Sequence, residues 1–372
     1  MQLKSFESYK DTLYYCRFCP MCKPAADVAN VTNLESHSTR GRAVLLWRIA
    51  TDKADFTKRD VELLYQSTLD TISESWCINH FPVSDYILSA RHEVIKRSLQ
   101  PKSVKRALEL ELSVAPCPAG DTILLASEAA EVGGETRLAT AVGLLAKLGI
   151  AATVYQQTNG IISYSLGDLD QAKAQAERVI AALQAAGAKL VITDGPKTYY
   201  ALTKMAKRLG VVLPAGMKVV SLTEVLHQHQ NALPVRKDLR AVYVHDCKST
   251  FFIGDTLATD EALQPHCDGN EEALGTGAVY TMPRDLIDNL GMKRVFGVWS
   301  RSLAKSSGVD DGLWITYPML AQKLALQRLA YAKNLEAELI VTDSLASAEY
   351  LSNVAQEDGG GMEVVWLPEL YR

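Results

Sequence analysis

From Thr122 to Leu367 the chain alternates short, almost uninterrupted runs of Val, Ile and Leu with longer helix-forming segments, and few folds accept that pattern. The runs at 122–127, 151–156, 189–194, 217–222, 241–246, 295–299, 338–343 and 363–367 read as strands. Strands that carry no polar face must be covered on both sides, and helices interposed between them make the sheet parallel. Residues 116–372 therefore read as α/β. Asp168 is placed to cap an alanine-rich helix that Gly187 closes, and 318–335 has the spacing of another long helix.

The same region carries an internal similarity. AGAKLVITD at 186–194, followed by a helix with YYAL, is similar to EAELIVTD at 336–343, followed by a helix with EYL. Either the α/β part is two related lobes, at about 120–235 and 236–372, or generic strand–helix chemistry has produced the same string twice. Residues 1–115 are different. Lys and Arg are frequent, β-branched runs are scarce, and apolar residues recur at three and four (Val61, Leu64, Tyr65, Leu69, Ile72, then Ile87, Leu88, Val94, Ile95), which predicts helices over 60–77 and 82–98. PCPAG at 116–120 reads as the linker between this helical domain and the rest.

With 39 Lys+Arg against 43 Asp+Glu the 372-residue chain is slightly acidic and has no basic stripe, which argues against nucleic acid as a partner. No apolar run is long enough to span a membrane and the first residues lack a signal-peptide profile, so a cytoplasmic location is expected, with peripheral association with a membrane complex still open. Seven cysteines, an odd number, fit a secreted disulfide framework poorly.

Their positions matter more than their number. Cys16, Cys19 and Cys22 form C-x-x-C-x-x-C, the spacing that brings three thiolates from one loop to three corners of a [4Fe-4S] cubane. In two-cluster ferredoxin runs of the form C-x2-C-x2-C-x3-C-P, the fourth cysteine of each run serves the other cluster. One crossed set here is Cys16, Cys19, Cys22 and Cys77, all cysteine; the other is Ser67, Asp70, Ser73 and Ala26, all replaced. The pattern is that of a two-cluster module which keeps one ligand set whole and has lost the other. Zinc on the same thiols, with Cys77 or His80 as the fourth ligand, is the competing reading, but structural zinc sites usually pair two C-x-x-C knuckles.

The full chain resembles the heterodisulfide reductase-like family of CCG-domain iron–sulfur proteins, which includes the iron–sulfur subunits of glycolate oxidase, lactate utilisation and anaerobic glycerol-3-phosphate dehydrogenase. The segments that carry the likeness are QTNG at 157–160 with SYSLGDLDQAK at 163–173, VITDGPKTY at 191–199, and VHD at 244–246 followed by Cys247. The resemblance implies a ferredoxin-like helical iron–sulfur domain followed by a duplicated, two-lobed α/β domain of the cysteine-rich "CCG" type. It also implies electron transfer as the activity, and a flavoprotein dehydrogenase or electron-transfer flavoprotein as partner.

The departures are as informative. The family's cysteines would fall at or near Thr158 and Asn159, at Gly195 and Thr198, and at about Ser344 and Ser347, and none of these is cysteine. Cys247 is the one match left, so the chemistry of the lobe-bound clusters does not carry over. Pro82 stands five residues after Cys77 rather than next to it. The expectation is thus one [4Fe-4S] cluster on Cys16, Cys19, Cys22 and Cys77, relaying single electrons. The alternatives are an oxidoreductase with a small-molecule site in the α/β crevice at His245, Asp246 and Cys247, and a scaffold or redox sensor whose cluster is structural.

Lesser features have two readings each. Gly133–Gly134 is either a ligand-approach loop or a tight turn; 275–277 (GTG) and 359–361 (GGG) read as loops; His227 and His229 do not share a helix face. Tyr14, Tyr15, Arg17 and Phe18 are expected to shield the cluster. Arg40, Arg42 and Arg48 are either a docking face or solvated charges. Cys117 and Cys267 have no assigned role.

Overall fold

The computed structural model describes residues 3–69, 71–111, 113–233, 238–247, 249, 253 and 278–372. Among these, every element before Thr122 is helical and eight strands follow it. They are β1 (Thr122–Leu125), β2 (Thr153–Tyr155), β3 (Leu190–Thr193), β4 (Lys218–Ser221), β5 (Ala241–Val244), β6 (Lys293–Arg294), β7 (Leu339–Thr342) and β8 (Glu363–Trp366). Seven of the eight expected strands contain an observed one. The exception is the sixth, where β6 is two residues long and ends just before the expected 295–299. Lys293 and Arg294 pair with Ala241 and Val242 of β5, and Val295 N donates to the Val242 carbonyl at 2.8 Å, so the ladder ends at the first residue of the apolar run.

All pairings are parallel, and they form two sheets of order β2-β1-β3-β4 and β6-β5-β7-β8. The two orders are the same order. The similar strings at 186–194 and 336–343 contain β3 and β7, the third strand of each sheet. A second correspondence was not legible in the strings. Gly160 (φ 90°) sits against the Ala172 carbonyl of helix Leu169–Ala185, and Gly308 (φ 94°) sits against the Ala321 carbonyl of helix Pro318–Asn334. Both positions need glycine for the left-handed backbone and for the close approach.

Asp168 caps the first of these helices by accepting from Gln171 N at 3.0 Å, an interaction whose loss costs about 1 kcal/mol. In the helical part the expected 60–77 helix is two helices, Lys58–Tyr65 and Thr71–Ser75, while the second expectation holds as Val83–Lys96. The break is local chemistry: Ser67 and Thr68 follow the first helix, and Leu69 takes φ 54°, which no continuing helix allows. Gly133 is a left-handed helix cap and Gly134 packs against Leu345, so this pair is a turn. Gly359 caps helix Leu345–Asp358 in the same way. The 275–277 loop and Cys267 lie outside the described residues.

The core is continuous across the parts. Leu13, Leu46, Leu64, Tyr86 and Ile87 of the helical part share one apolar cluster with Ile123, Leu125 and Val191 of the first sheet. A second cluster joins Leu124, Ile192 and Val220 of the first sheet to Val242, Val244, Leu339 and Val341 of the second. Across that junction Arg137 pairs with Glu349 and Glu369 and donates to Ser352 Oγ at 2.8 Å. No helix among the described residues is long and apolar enough to cross a membrane.

Candidate functional site

Helix Lys10–Cys16 delivers Cys16 at its last turn, and successive tight turns then place Cys19 and Cys22, with Cys19 N donating to the Cys16 carbonyl at 3.1 Å. Cys77 arrives from a separate piece of chain. It follows helix Thr71–Ser75, where Cys77 N donates to the Glu74 carbonyl, and a turn closed by His80 N on Cys77 O leads to Pro82, which starts helix Val83–Lys96. Cys16, Cys19, Cys22 and Cys77 all line one cavity, together with Met21, Thr39, Ser73, Ile78, Asn79, Phe81 and Val83. None of the four is joined in a disulfide.

Cys16 is the inner ligand candidate, buried with its sulfur 3.7 Å from the Tyr86 hydroxyl; the other three are half-buried. Burial pushes the Cys16 thiol up to about 12; Tyr86 opposes that shift, and the nearby Cys22, Cys77 and Cys19 add to it. Ser73 Oγ, on the cavity wall, is buried and has no hydrogen-bond partner. The donor set is therefore four soft sulfurs lining one cavity, the ligand type that thiophilic metal groups prefer. Among the described residues, no three His, Cys, Asp or Glu converge as tightly as a single metal ion requires.

The neighbours of the cysteines differ from expectation. Tyr14, Tyr15 and Phe18 do not shield the cavity: they are 41%, 63% and 62% exposed, and Tyr14 and Phe18 stack around Arg17, which also lies 3.8 Å over Trp47. Their aromatic edges face water because helix Lys10–Cys16 turns its Leu13–Cys16 side inward. The walls come instead from Phe81, Val83, Met21 and Ile78. His80 is exposed and does not line the cavity. Arg42 is no docking charge; it is fully buried and donates to the carbonyls of Leu63, His37 and Gln66, whereas Arg40 pairs with Glu35 and Arg48 with Asp60.

Of the lost set, Ala26, Ser67 and Ser73 are all buried, and Asp70 lies outside the described residues. Next to Ala26, Ala25 packs with Ile72 and Leu303, flanked by Trp76 and Trp299, whose rings are 5.7 Å apart.

The strand ends of the two sheets, where the resemblance places further cysteines, are closed by hydrogen bonds. Glu128, fully buried after β1, accepts from Lys197 N at 2.9 Å in its own lobe, and from Ser344 Oγ at 2.6 Å and Ala346 N at 2.9 Å in the other. A Cβ on Gly195 would collide with the Glu128 carboxylate, so that carboxylate occupies the space a side chain at 195 would need. Thr198 Oγ1 donates to Asp194 at 2.6 Å, and the hydroxyls of Ser347 and Ser307 are 3.1 Å apart. Burial and the charge of Glu128 push Asp194 up to about 8. Glu128 was missed in the sequence; its one signal is its place directly after β1, matching Cys247 after β5.

His245, Asp246 and Cys247 do stand together at the end of β5, but each is spoken for or suppressed. Burial drives His245 down to about 4, so the ring is neutral. Burial works against the charge on Asp246, but Arg284 (two contacts of 2.8 Å) and the Arg301 N–H hold its pKa below the usual value. Burial holds the Cys247 thiol well above its ordinary range, with Asp310, Glu128 and Asp343 adding to the effect. A protonated, enclosed thiol is a poor nucleophile. His227 bonds Asp285 and His229 the Val225 carbonyl.

Neither a protein-family model nor a curated protein matches the chain. Among solved structures, a hypothetical protein from Helicobacter pylori is similar, with a TM-score of 0.63 at 11% identity, over 90% of this chain and 67% of that one. At that identity the likeness shows the fold alone.

Proposed function

We propose that the chain is an electron-transfer iron–sulfur protein that holds one [4Fe-4S] cluster on Cys16, Cys19, Cys22 and Cys77. In this reading the helical part is a ferredoxin-like module reduced to one cluster, and the chain works in the cytoplasm as one component of a redox complex beside a flavoprotein. The observation that carries the reading is that four cysteines from two separated pieces of chain line a single cavity. The C-x-x-C-x-x-C spacing favours a cluster over zinc, since structural zinc sites usually pair two C-x-x-C knuckles.

A [4Fe-4S] cluster held there supplies a reversible one-electron couple. The chain's own residues do the rest. Four thiolate ligands leave no position open for substrate, so bond-making chemistry is not part of the reading. The apolar wall of Phe81 and Val83 restricts water on the inner side, and the Tyr86 hydroxyl beside Cys16 Sγ is placed to tune the potential. Because the thiols must lose their protons to ligate, loading is favoured as pH rises. The hydrogen-bonded strand ends suit a docking scaffold better than a catalytic crevice.

Anaerobic purification followed by iron and sulfide assay and EPR of the reduced protein tests this directly. About four irons per chain, with a reduced-cluster signal, is the expected result. Stoichiometric zinc in place of iron, or a Cys77→Ser variant with an unchanged four-iron signal, contradicts it.

A further inference from the structure

Fourteen large apolar side chains are exposed among the described residues, and five of them, Tyr14, Tyr15, Phe18, Met21 and Ile78, belong to the two short segments that carry the four cysteines. The other nine are scattered along the remainder of the chain, as single exposed apolar residues usually are. A concentration of aromatic and Met side chains is the composition of a protein interface, and two of the five, Met21 and Ile78, line the thiol cavity itself.

The two segments that carry the cysteines are themselves free of acidic residues. No Asp or Glu occurs from Thr12 to Ala26 or from Ser75 to Ser84, while Arg17 and Lys23 lie within the first stretch. At its edge Lys23 and Arg40 share a single carboxylate, Glu35, leaving that corner positive. The opposite side of the cavity is shut. Cys16 is buried against the core of the helical part, and the cluster of Ala25, Ile72 and Leu303 with Trp76 and Trp299 fills the space toward the second lobe. The remaining cysteines, Cys117, Cys247 and Cys267, are too far apart in the chain to repeat the C-x-x-C-x-x-C run.

We propose that the collar of Tyr15, Phe18, Met21 and Ile78 is the one port for electrons, that it docks a small redox protein whose cofactor is ringed by carboxylates, and that donor and acceptor bind there in turn. The inference rests on the cluster reading above. It follows from geometry: a partner's cofactor must approach the half-buried Cys19, Cys22 and Cys77, and one face allows it. An apolar centre with a cationic edge steers an anionic partner and releases it quickly, as transient electron-transfer contacts require.

The test uses the anaerobically purified, iron-loaded protein and a redox-inert acidic probe, a fluorescently labelled plant-type ferredoxin with gallium in place of iron, read by anisotropy. Binding is expected to weaken at least tenfold in Phe18→Asp and in Ile78→Asp, to weaken in Lys23→Glu, and to fall as salt rises. Unlabelled flavodoxin, a second acidic redox protein, is expected to displace the probe. Iron content and the EPR signal of each variant are measured in the same samples, and Lys23→Glu, an exposed substitution, guards against a folding defect in the other two. Normal iron with probe binding indifferent to all three variants overturns the port, while the cluster reading stands. A ternary complex with probe and flavodoxin bound together overturns the shared use of one face. No binding of either acidic protein, or equal binding of cationic cytochrome c, overturns the charge argument. Wild-type protein without iron removes the cluster reading, and the port with it.

Discussion

The thiol cavity and the strand ends of the two sheets are both places where the resemblance expects cysteine, and the molecule treats them in opposite ways. Cys16, Cys19, Cys22 and Cys77 line one cavity, and Ser73 Oγ on its wall has no partner. At the strand ends the Glu128 carboxylate takes the space beside Gly195, and the hydroxyls of Thr198, Ser344 and Ser347 all have hydrogen-bond partners. Buried polar groups left without partners cost free energy unless something else satisfies them. The first arrangement is compatible with the cluster proposed above; the second joins two lobes through the Glu128 carboxylate. The carboxylates follow the same division. Glu74, three residues before Cys77, is held with its proton, whereas Asp246 at the end of β5 is held ionised by Arg284.

The largest effect is expected at that junction. Glu128→Ala removes the acceptor shared by Lys197 N, Ser344 Oγ and Ala346 N and leaves the buried donors of two lobes unpaired. A loss of about 3–5 kcal/mol is expected in urea unfolding of the metal-free protein. A loss below about 1 kcal/mol would mean that the lobes are held by apolar packing alone. Glu74 gives the next effect, through pH. Burial pushes its carboxyl up to about 7, despite hydrogen bonds from Ser84 N and Oγ at 3.0 and 2.7 Å. A folded-state pKa above the unfolded one means that the fold holds the proton more tightly, so this contribution is full below about pH 4 and is lost as pH rises through about 7. Linkage puts the loss at roughly 3 kcal/mol. Glu74→Gln should show that much less decline between pH 4.5 and 7.5 in parallel urea titrations; an unchanged slope would place the proton elsewhere.

Much of this was readable before any coordinates. The strands were legible because a parallel sheet buried on both faces leaves long apolar runs, and the grouping of Cys77 with Cys16, Cys19 and Cys22 at one cavity was legible from their spacing. What escaped depends on contacts between distant residues. Glu128 looks like an ordinary surface acid in ASEAAEV, and only the approach of Ser344 and Ala346 from the other lobe makes it central. Arg42 looks solvated until the carbonyls of His37, Leu63 and Gln66 close around it. The aromatic residues beside the cysteines were expected to face inward, yet helical periodicity turns Leu13 and Cys16 inward and leaves Tyr14 and Tyr15 outside.

The thiol cavity should behave differently when it is altered. Cys77→Ser exchanges a half-buried sulfur for an oxygen on the cavity wall, so the metal-free variant should unfold within about 1 kcal/mol of the wild type. Its iron content after anaerobic purification should nevertheless fall sharply, because oxygen is a poor replacement for the fourth thiolate. Stability and metal content thus separate at this site, whereas at Glu128 only stability is at stake. A Cys77→Ser protein that is strongly destabilised but fully loaded with iron would reverse the comparison.

Cys247 offers the smallest effect and the sharpest contrast, since it is a cysteine at the strand ends. Enclosed and held protonated beside Asp310, Glu128 and Asp343, it should alkylate last when the metal-free native protein is exposed to iodoacetamide at neutral pH. Cys19, Cys22 and Cys77, all half-buried, should react ahead of it, with Cys16 intermediate or slow because it too is buried beside Tyr86. Peptide mass spectrometry over a time course gives the order. Cys247→Ala should leave iron content unchanged. If Cys247 instead reacts as fast as Cys19, the strand end is open to solvent, and a small-molecule site at His245, Asp246 and Cys247 becomes the better account of the second lobe.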